Sequence, residues 1–116
     1  MIESVCITKI KGMEFMEGYS SKLTNENVDF LCEAILSLET KEECYRLFDD
    51  LFTINEVQSI EQRLQVAKML KQKRTYIDIA TSTGASTATI SRVNRCLNYG
   101  SDGYNLVFEK IGFNNK

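Results

Sequence analysis

Short polar and cationic side chains crowd one stretch of the chain, between residues 86 and 95. They are Ser86, Thr87, Ala88, Thr89, Ser91, Arg92 and Arg95. On a helix, such short side chains let the N-terminus approach base edges, where hydroxyls donate or accept hydrogen bonds and the terminal amides favour phosphate. The stretch therefore predicts a DNA-reading helix. A Ser/Thr-rich surface helix in a small bundle is the alternative interpretation.

The residues just before this stretch have the spacing of a tight corner between two helices. A short helix is predicted from about Tyr76 to Ser82, and Tyr76 is itself a predicted DNA contact. Its apolar residues are Ile77, Ile79 and Ala80. Gly84 then lies where a left-handed backbone is favoured, and Ser86 can cap the next helix. Two β-branched residues would point back into the corner, Ile90 and Val93. The whole of 75–97 thus predicts a helix-turn-helix.

Acidic and basic residues are unevenly distributed along the chain, although the net charge is only −2. From Thr24 to Glu61 there are ten acids against two bases, a net charge of −8. From Gln62 to Arg95 there are seven bases against one acid, a net charge of +6. A basic helix-turn-helix end and an acidic opposite end would orient the protein on a polyanion. Two ordinary solvated faces remain the alternative.

Apolar residues at helical spacing, together with capping signals, predict an all-α chain of six helices. Helix starts are predicted near Asn25, at Thr40 and Thr53 through capping boxes with Glu43 and Glu56, at Thr75, at Ser86, and at Ser101 or Asp102. The third helix should extend to about Lys73, and Gly100 should end the fifth. Residues 1–23 mix Gly, Ser and charged residues and are expected to be weakly structured. One helical domain is therefore predicted at 24–116.

The composition also argues against several function classes. The 116 residues contain no His, no Gly-rich phosphate loop and no nucleophile–base pair, so an enzyme is not expected. No apolar run is long enough to span a membrane, and no secretory signal is present, so we expect a cytoplasmic protein. The cysteines are widely spaced, and without His a zinc site is disfavoured. They are Cys6, Cys32, Cys44 and Cys96, and we expect them to be buried free thiols.

A family resemblance emerges from three separated segments. Leu51-Phe52-Thr53-Ile54-Asn55-Glu56, then Arg63, then Ala88-Thr89-Ile90-Ser91-Arg92 resemble the bacterial tryptophan repressor family, and most closely the Trp repressor-like proteins of Gram-positive bacteria. The similarity extends over about 25–113. It implies an intertwined homodimer of six-helix chains whose two reading heads face successive major grooves of DNA.

The resemblance also implies a candidate ligand site. In the family two arginines flank a bound indole, and Arg63 and Arg92 match them, while Thr53 matches a threonine at the start of the long helix. Two positions depart from the family: Val93 replaces a glycine, and Cys96 replaces a serine that approaches the amino acid. Val93 adds branched bulk where a flat ring would lie, and a thiol is a weak hydrogen-bonding group. These departures argue against tryptophan as the corepressor. Either a smaller anion fits between the arginines as a small-molecule effector, or the arginines bond acidic residues and hold the reading helix without a ligand. No other cofactor and no metal is predicted.

The sequence as a whole predicts a homodimeric, sequence-specific DNA-binding transcription regulator that represses by blocking a promoter. Two other classes stay open. One is a DNA-recognition module for transposition or replication initiation, because similar helix-turn-helix modules serve there. The other is a dimeric protein-interaction module whose reading head no longer binds DNA.

Overall fold

The computed structural model describes residues 18–113, and this part of the chain is entirely α-helical. Six helices follow one another: α1 Glu26–Leu36, α2 Lys41–Leu51, α3 Ile54–Lys71, α4 Tyr76–Thr83, α5 Thr87–Tyr99 and α6 Gly103–Lys110. The predicted fold class and number of helices are confirmed. The predicted weakly structured segment 1–23 lies mostly outside the described residues. Residues 18–25, which are described, contain turns and irregular backbone and precede α1.

Side-chain caps begin most of the helices, as the sequence predicts. Asn25 accepts a hydrogen bond from the backbone of Val28 at 2.9 Å. At α3 the capping box is complete: the Thr53 hydroxyl accepts from the Glu56 N–H at 3.1 Å, and the Glu56 carboxylate accepts from the Thr53 N–H at 2.8 Å. Thr75 and Ser86 cap α4 and α5 in the same way. Because each cap satisfies an amide that would otherwise lack a partner, these residues fix where the helices start.

One predicted helix boundary and one predicted capping box differ from the structure. At α2 the Thr40 hydroxyl accepts from the Glu43 N–H as predicted, but the Glu43 carboxylate accepts from the N–H of Glu39 instead of Thr40. The third helix ends at Lys71, and Lys73 lies beyond it in a left-handed conformation with φ of 66°. α6 follows Asp102, as predicted, but the Asp102 backbone is left-handed and its side chain makes no capping bond.

The chain divides into two compact units, of which the first ends at Arg46. Its described part contains α1 and the beginning of α2, and no residue of either helix is buried. Large apolar side chains on α1 are well exposed, with Phe30 at 71% and Leu36 at 79%. Exposed apolar side chains grouped on one helix are typical of a surface that binds another molecule.

The second unit, from Leu47 onward, contains the hydrophobic core. α3 packs against both α4 and α5, and α4 packs against α5. The buried side chains come from all four later helices and the corner: Val66, Ala67, Met69, Ile79, Ala85, Ile90, Val93 and Phe108. Phe108 adds edge contact with the ring of Phe113, at 5.2 Å between centroids. Fully burying an aliphatic side chain of this size stabilises the fold by about 1.5–3 kcal/mol, so the core holds the helix-turn-helix rigidly on α3.

One prediction about burial is wrong. The cysteines are free, but they are not buried: Cys32 and Cys96 are exposed and Cys44 is half-buried, while Cys6 lies outside the described residues. On α6, only Phe108 is buried among the apolar residues. Periodicity identified the apolar face correctly, but burial depends on what packs against that face. Within residues 18–113, no helix is long and apolar enough to cross a membrane, and no cluster of acidic and thiol side chains could hold a metal ion.

Candidate nucleic-acid interface

A tight corner joins α4 to α5, and its geometry follows from Gly84. This residue has φ of 77°, which is the left-handed region that glycine adopts without steric cost, and its N–H donates to the carbonyl oxygen of Ala80 at 2.8 Å. The Thr83 hydroxyl donates to the carbonyl of Ile79 at 2.8 Å and accepts from the N–H of Ala85 at 3.1 Å. The turn therefore has partners for its backbone groups, and the angle between the two helices is well defined.

Gln62 fastens this corner to α3. Its side-chain amide donates to the carbonyl oxygen of Thr83 at 3.1 Å, and both residues are half-buried. The bond spans 21 residues and links the long helix to the end of α4. This contact was not predictable from the sequence, because no local pattern connects a glutamine in one helix with a carbonyl oxygen so far along the chain.

The N-terminus of α5 is organised by Ser86 and Thr89. The Ser86 hydroxyl accepts from the N–H of Thr89 at 3.1 Å and donates to the Thr89 hydroxyl, also at 3.1 Å. Ser86 is therefore engaged in the cap. Within residues 18–113, no hydrogen bond uses the hydroxyl proton of Thr89. That proton can be donated to an acceptor outside the protein, such as the edge of a base.

The remaining predicted DNA contacts lie on the outward side of α5. Thr87, Ala88, Arg92 and Arg95 are exposed, and Ser91 is half-buried. The same helix turns Ile90 and Val93 into the core, at 0% and 2% exposure. In the described part of the chain, neither arginine forms an ion pair with a carboxylate. One face of α5 thus anchors the helix, while the other presents hydroxyls and two guanidinium groups to solvent.

The beginning of α4 carries the other predicted contact, Tyr76, whose exposure is 38%. Beside it, the guanidinium of Arg74 donates a hydrogen bond to the Asp78 carboxylate and forms an ion pair with it. This bond lowers the pKa of Asp78 and raises that of Arg74, more than desolvation opposes either change. Asp78 stays ionised, so the pair offers DNA less positive charge than a free arginine would.

Of the five predicted ligand residues, Arg63 is the one that lines the open groove at the start of α3. The other residues of this groove lie on α3 or just after α2, namely Phe52, Asn55, Glu56, Ser59 and Ile60. Of the other four predicted ligand residues, Thr53 has its hydroxyl in the capping box, and none lines this groove. Arg92 and Cys96 are exposed, whereas Val93 belongs to the core.

The position of Val93 bears directly on whether an indole ring fits beside α5. Its side chain is packed in the same buried cluster as Val66 and Ile90. Protein interiors are close-packed, so a side chain in this position takes the space that a flat ring would need. Val93 thus fills the position at which the resemblance implies an indole ring.

Comparison with known proteins gives consistent results. The family model described as Trp repressor protein matches residues 26–111. YerC of Bacillus subtilis, described as uncharacterized, is 59% identical over 90 residues, which cover 78% of this chain and 86% of YerC. The crystal structure of a TrpR-like protein from Eubacterium eligens is 58% identical with a TM-score of 0.78, covering 84% of this chain and all of that one. A Staphylococcus aureus protein described as a candidate Trp repressor is 53% identical with a TM-score of 0.77, covering 82% and 95%.

Proposed function

Because the chain belongs to the Trp repressor family, we propose that it is a sequence-specific DNA-binding transcription regulator. It binds as a homodimer and represses by occupying a promoter. The observation that carries this proposal is the two-sided character of α5. Ile90 and Val93 fix the helix in the core, while Thr89, Arg92 and Arg95 remain on its accessible side. Such a helix can enter a major groove without disturbing the core behind it.

Two substitutions test the proposed role of α5 as the DNA-reading helix. Selection of bound sequences from a random DNA pool first provides the operator. Thr89→Ala then removes a predicted base contact and should cost about 1–3 kcal/mol while relaxing the sequence preference. Arg95→Ala removes a predicted phosphate contact, so it should weaken binding to all sequences and reduce the salt slope by about 1.

Arg46→Ala is a matched control, because Arg46 is an exposed arginine that pairs with Glu42 on the acidic α2. It should leave operator affinity and the salt slope unchanged. If Thr89→Ala keeps the same site preference, the proposed orientation of α5 is wrong. If the parent protein selects no sequence and shows no salt-sensitive binding, the regulator proposal fails as a whole. Genomic footprints confined to element ends or origins would instead favour transposition or replication initiation.

The homodimer is supported by apolar side chains that the single chain leaves exposed. On α1 alone these include Phe30, Leu31, Ile35 and Leu36. Burying such side chains is worth about 25 cal/mol per Å² of apolar surface, so a partner copy would be strongly favoured to cover them. Sedimentation should show a dimer at micromolar protein, and the operator should be palindromic with half-sites one helical turn apart. A well-folded monomer that binds its operator specifically would contradict this.

Tryptophan is not the signal that controls this regulator in our proposal. A ligand changes activity only through different affinities for the competent and incompetent states, and it needs a site to do so. The Val93 side chain of α5 is packed in the core, and Arg92 does not line the groove that contains Arg63. The reading head is accordingly held by its own packing, and DNA binding proceeds without a corepressor in the indole position.

A further inference from the structure

The helix-turn-helix is attached to α3 at two places that differ in kind. The first is apolar, and the buried residues that α3 contributes to it all lie in its second half, namely Val66, Ala67 and Met69. The second is polar and lies one turn earlier, where the side-chain amide of Gln62 donates to the carbonyl oxygen of Thr83 at 3.1 Å. Among the described residues, no other side-chain hydrogen bond joins α3 to the helix-turn-helix.

The polar attachment acts at the turn itself. Thr83 is the last residue of α4, so its carbonyl oxygen is one of the four at the end of a helix that have no partner within it. Gln62 supplies that partner. The glutamine also lies against the next residue, since a Cβ added at Gly84 would come nearest to the Gln62 amide nitrogen, at 3.9 Å. Both Gln62 and Thr83 are half-buried, which shields the bond from part of the competing water.

Two attachments restrain a rotation that one of them would permit. Apolar packing is non-directional, so the contacts at 66–69 alone would let the corner pivot slightly about them. Gln62 acts four residues earlier, which is about 6 Å along the axis of α3. Because a hydrogen bond weakens steeply away from its preferred angle, this second contact opposes the pivot. The first turn of α5, which contains Thr89, follows directly after the residues that are held in this way.

We propose that Gln62 is a positioning residue for sequence-specific DNA binding. It sets the tilt of α5 relative to α3 through the carbonyl oxygen of Thr83, so that the short side chain of Thr89 meets the base edges. A productive site has to be held within about 0.5 Å, which a short hydroxyl side chain cannot recover by moving. A long arginine side chain can follow a phosphate through a small tilt, so contacts with the DNA backbone survive it. The inference rests on the proposed function and deepens it, because it assigns discrimination between sequences to a residue away from the DNA.

Gln62→Met tests the positioning role, because methionine has a similar length and shape but no donor. Affinity for the selected operator should fall about tenfold, which is roughly the effect of one lost hydrogen bond. Affinity for random-sequence DNA and its salt slope should stay unchanged, since no charge is removed. A role in stability alone would leave both affinities unchanged at temperatures where circular dichroism shows a fully folded chain. The matched control is Gln58→Met, which changes an exposed glutamine of the same helix and should bind both DNAs like the parent.

Gln62→Lys is the rescue variant, because it keeps a donor on a side chain long enough to reach Thr83. Its added charge strengthens binding to every sequence, so the informative quantity is the ratio of operator affinity to random-sequence affinity. This ratio should be higher in Gln62→Lys than in Gln62→Met, and close to that of the parent chain.

Amide hydrogen exchange in the DNA-free protein gives a readout that does not depend on binding. The amides of Gly84, Ala85 and Thr89 are all hydrogen-bonded in the corner. In Gln62→Met these three should exchange up to about tenfold faster than in the parent, because the corner opens locally more often. The amides of 66–69, in the apolar attachment, should keep their parent rates.

Three results would overturn the inference. One is an operator-to-random affinity ratio in Gln62→Met that equals the parent's, and another is a ratio in Gln62→Lys as low as in Gln62→Met. The third is unchanged exchange of the corner amides in Gln62→Met. A parent chain that prefers no DNA sequence would instead refute the proposed function, while the exchange rates would still show whether Gln62 holds the corner. The two failures are therefore distinguishable.

Discussion

Val93 connects the packing of the reading helix with the question of a corepressor. The side chain is 2% exposed and lies in the middle of α5. Val93→Ala removes two carbon atoms from a close-packed site. At about 0.8 kcal/mol per buried methylene plus a cavity term, the loss should be about 2 kcal/mol. Val93→Gly removes one carbon more and adds a helix penalty of about 1 kcal/mol relative to alanine, for about 4 kcal/mol in all.

The assay has two parts. Denaturant unfolding is measured at one fixed protomer concentration, because a dimer's stability depends on it. Operator affinity is then measured with and without tryptophan for the parent chain, Cys96→Ser, and Val93→Gly combined with Cys96→Ser. Cys96 is exposed, so its substitution alone should barely change stability. We expect no tryptophan response in the parent or in Cys96→Ser, and a response in the double variant, which opens space beside α5.

Two outcomes would refute this reasoning. If tryptophan tightens operator binding tenfold in the parent chain, then Val93 does not fill the indole position, and the simple corepressor model is restored. If Val93→Ala costs less than about 0.5 kcal/mol, the side chain is not packed as described, since even small truncations in a native core cost more than that. The second outcome needs no ligand, so it remains decisive if the glycine variant is too unstable to assay.

Four further substitutions test the corner and the ends of α4 and α5. Ser86→Ala removes the cap of α5 and should lower unfolding stability by about 1 kcal/mol, with a matching loss of operator affinity. Gly84→Ala should cost about 1–2 kcal/mol through its φ of 77° alone, because an added Cβ would meet nothing closer than 3.9 Å. Gly100→Ala should destabilise the fold through a steric clash and not through backbone strain, since the added Cβ would lie 2.5 Å from the backbone carbonyl oxygen of Cys96. The pKa of Asp78 is lower in the folded chain than in the unfolded chain, where it is about 4. Its pairing with Arg74 therefore stabilises the fold fully at pH values above the unfolded-state pKa. This stabilisation is lost as the pH falls through the folded-state pKa. Asp78→Asn should therefore be less stable than the parent at neutral pH and equal to it in strong acid, as unfolding midpoints at the two pH values will show.

The helix-turn-helix was predictable because local rules specify it. A capping hydroxyl at Ser86, a left-handed glycine at Gly84 and β-branched residues at helical spacing all act within one or two turns of chain. The structure confirms each of them: Ser86 caps α5, Gly84 is left-handed, and Ile90 and Val93 are buried. Such features depend on backbone geometry that a short segment carries by itself, so sequence is enough to find them.

Features that depend on distant packing were not predictable in the same way. The contact of Gln62 with Thr83 joins two segments that share no pattern. The exposure of Cys96 follows from which face of α5 turns inward, and residue type alone suggested burial. The sequence thus locates the reading helix well, and the long-range contacts that hold it on α3 much less well.

The distribution of charge leads to a last prediction about the proposed dimer. The segment from Thr24 to Glu61 carries a net charge of −8 and includes α1, whose apolar side chains a partner copy would cover. Bringing two such segments together opposes like charges, and salt screens this repulsion over a Debye length of about 8 Å at physiological ionic strength. DNA binding by the basic segment 62–95 weakens with salt instead, because counterions are released from the phosphates. Added NaCl should therefore tighten the dimer while it loosens the operator complex, which sedimentation and operator titration can measure on the same samples. A dimer that dissociates as salt rises would mean that ion pairs between acidic and basic segments hold it together, and that the apolar face of α1 does not.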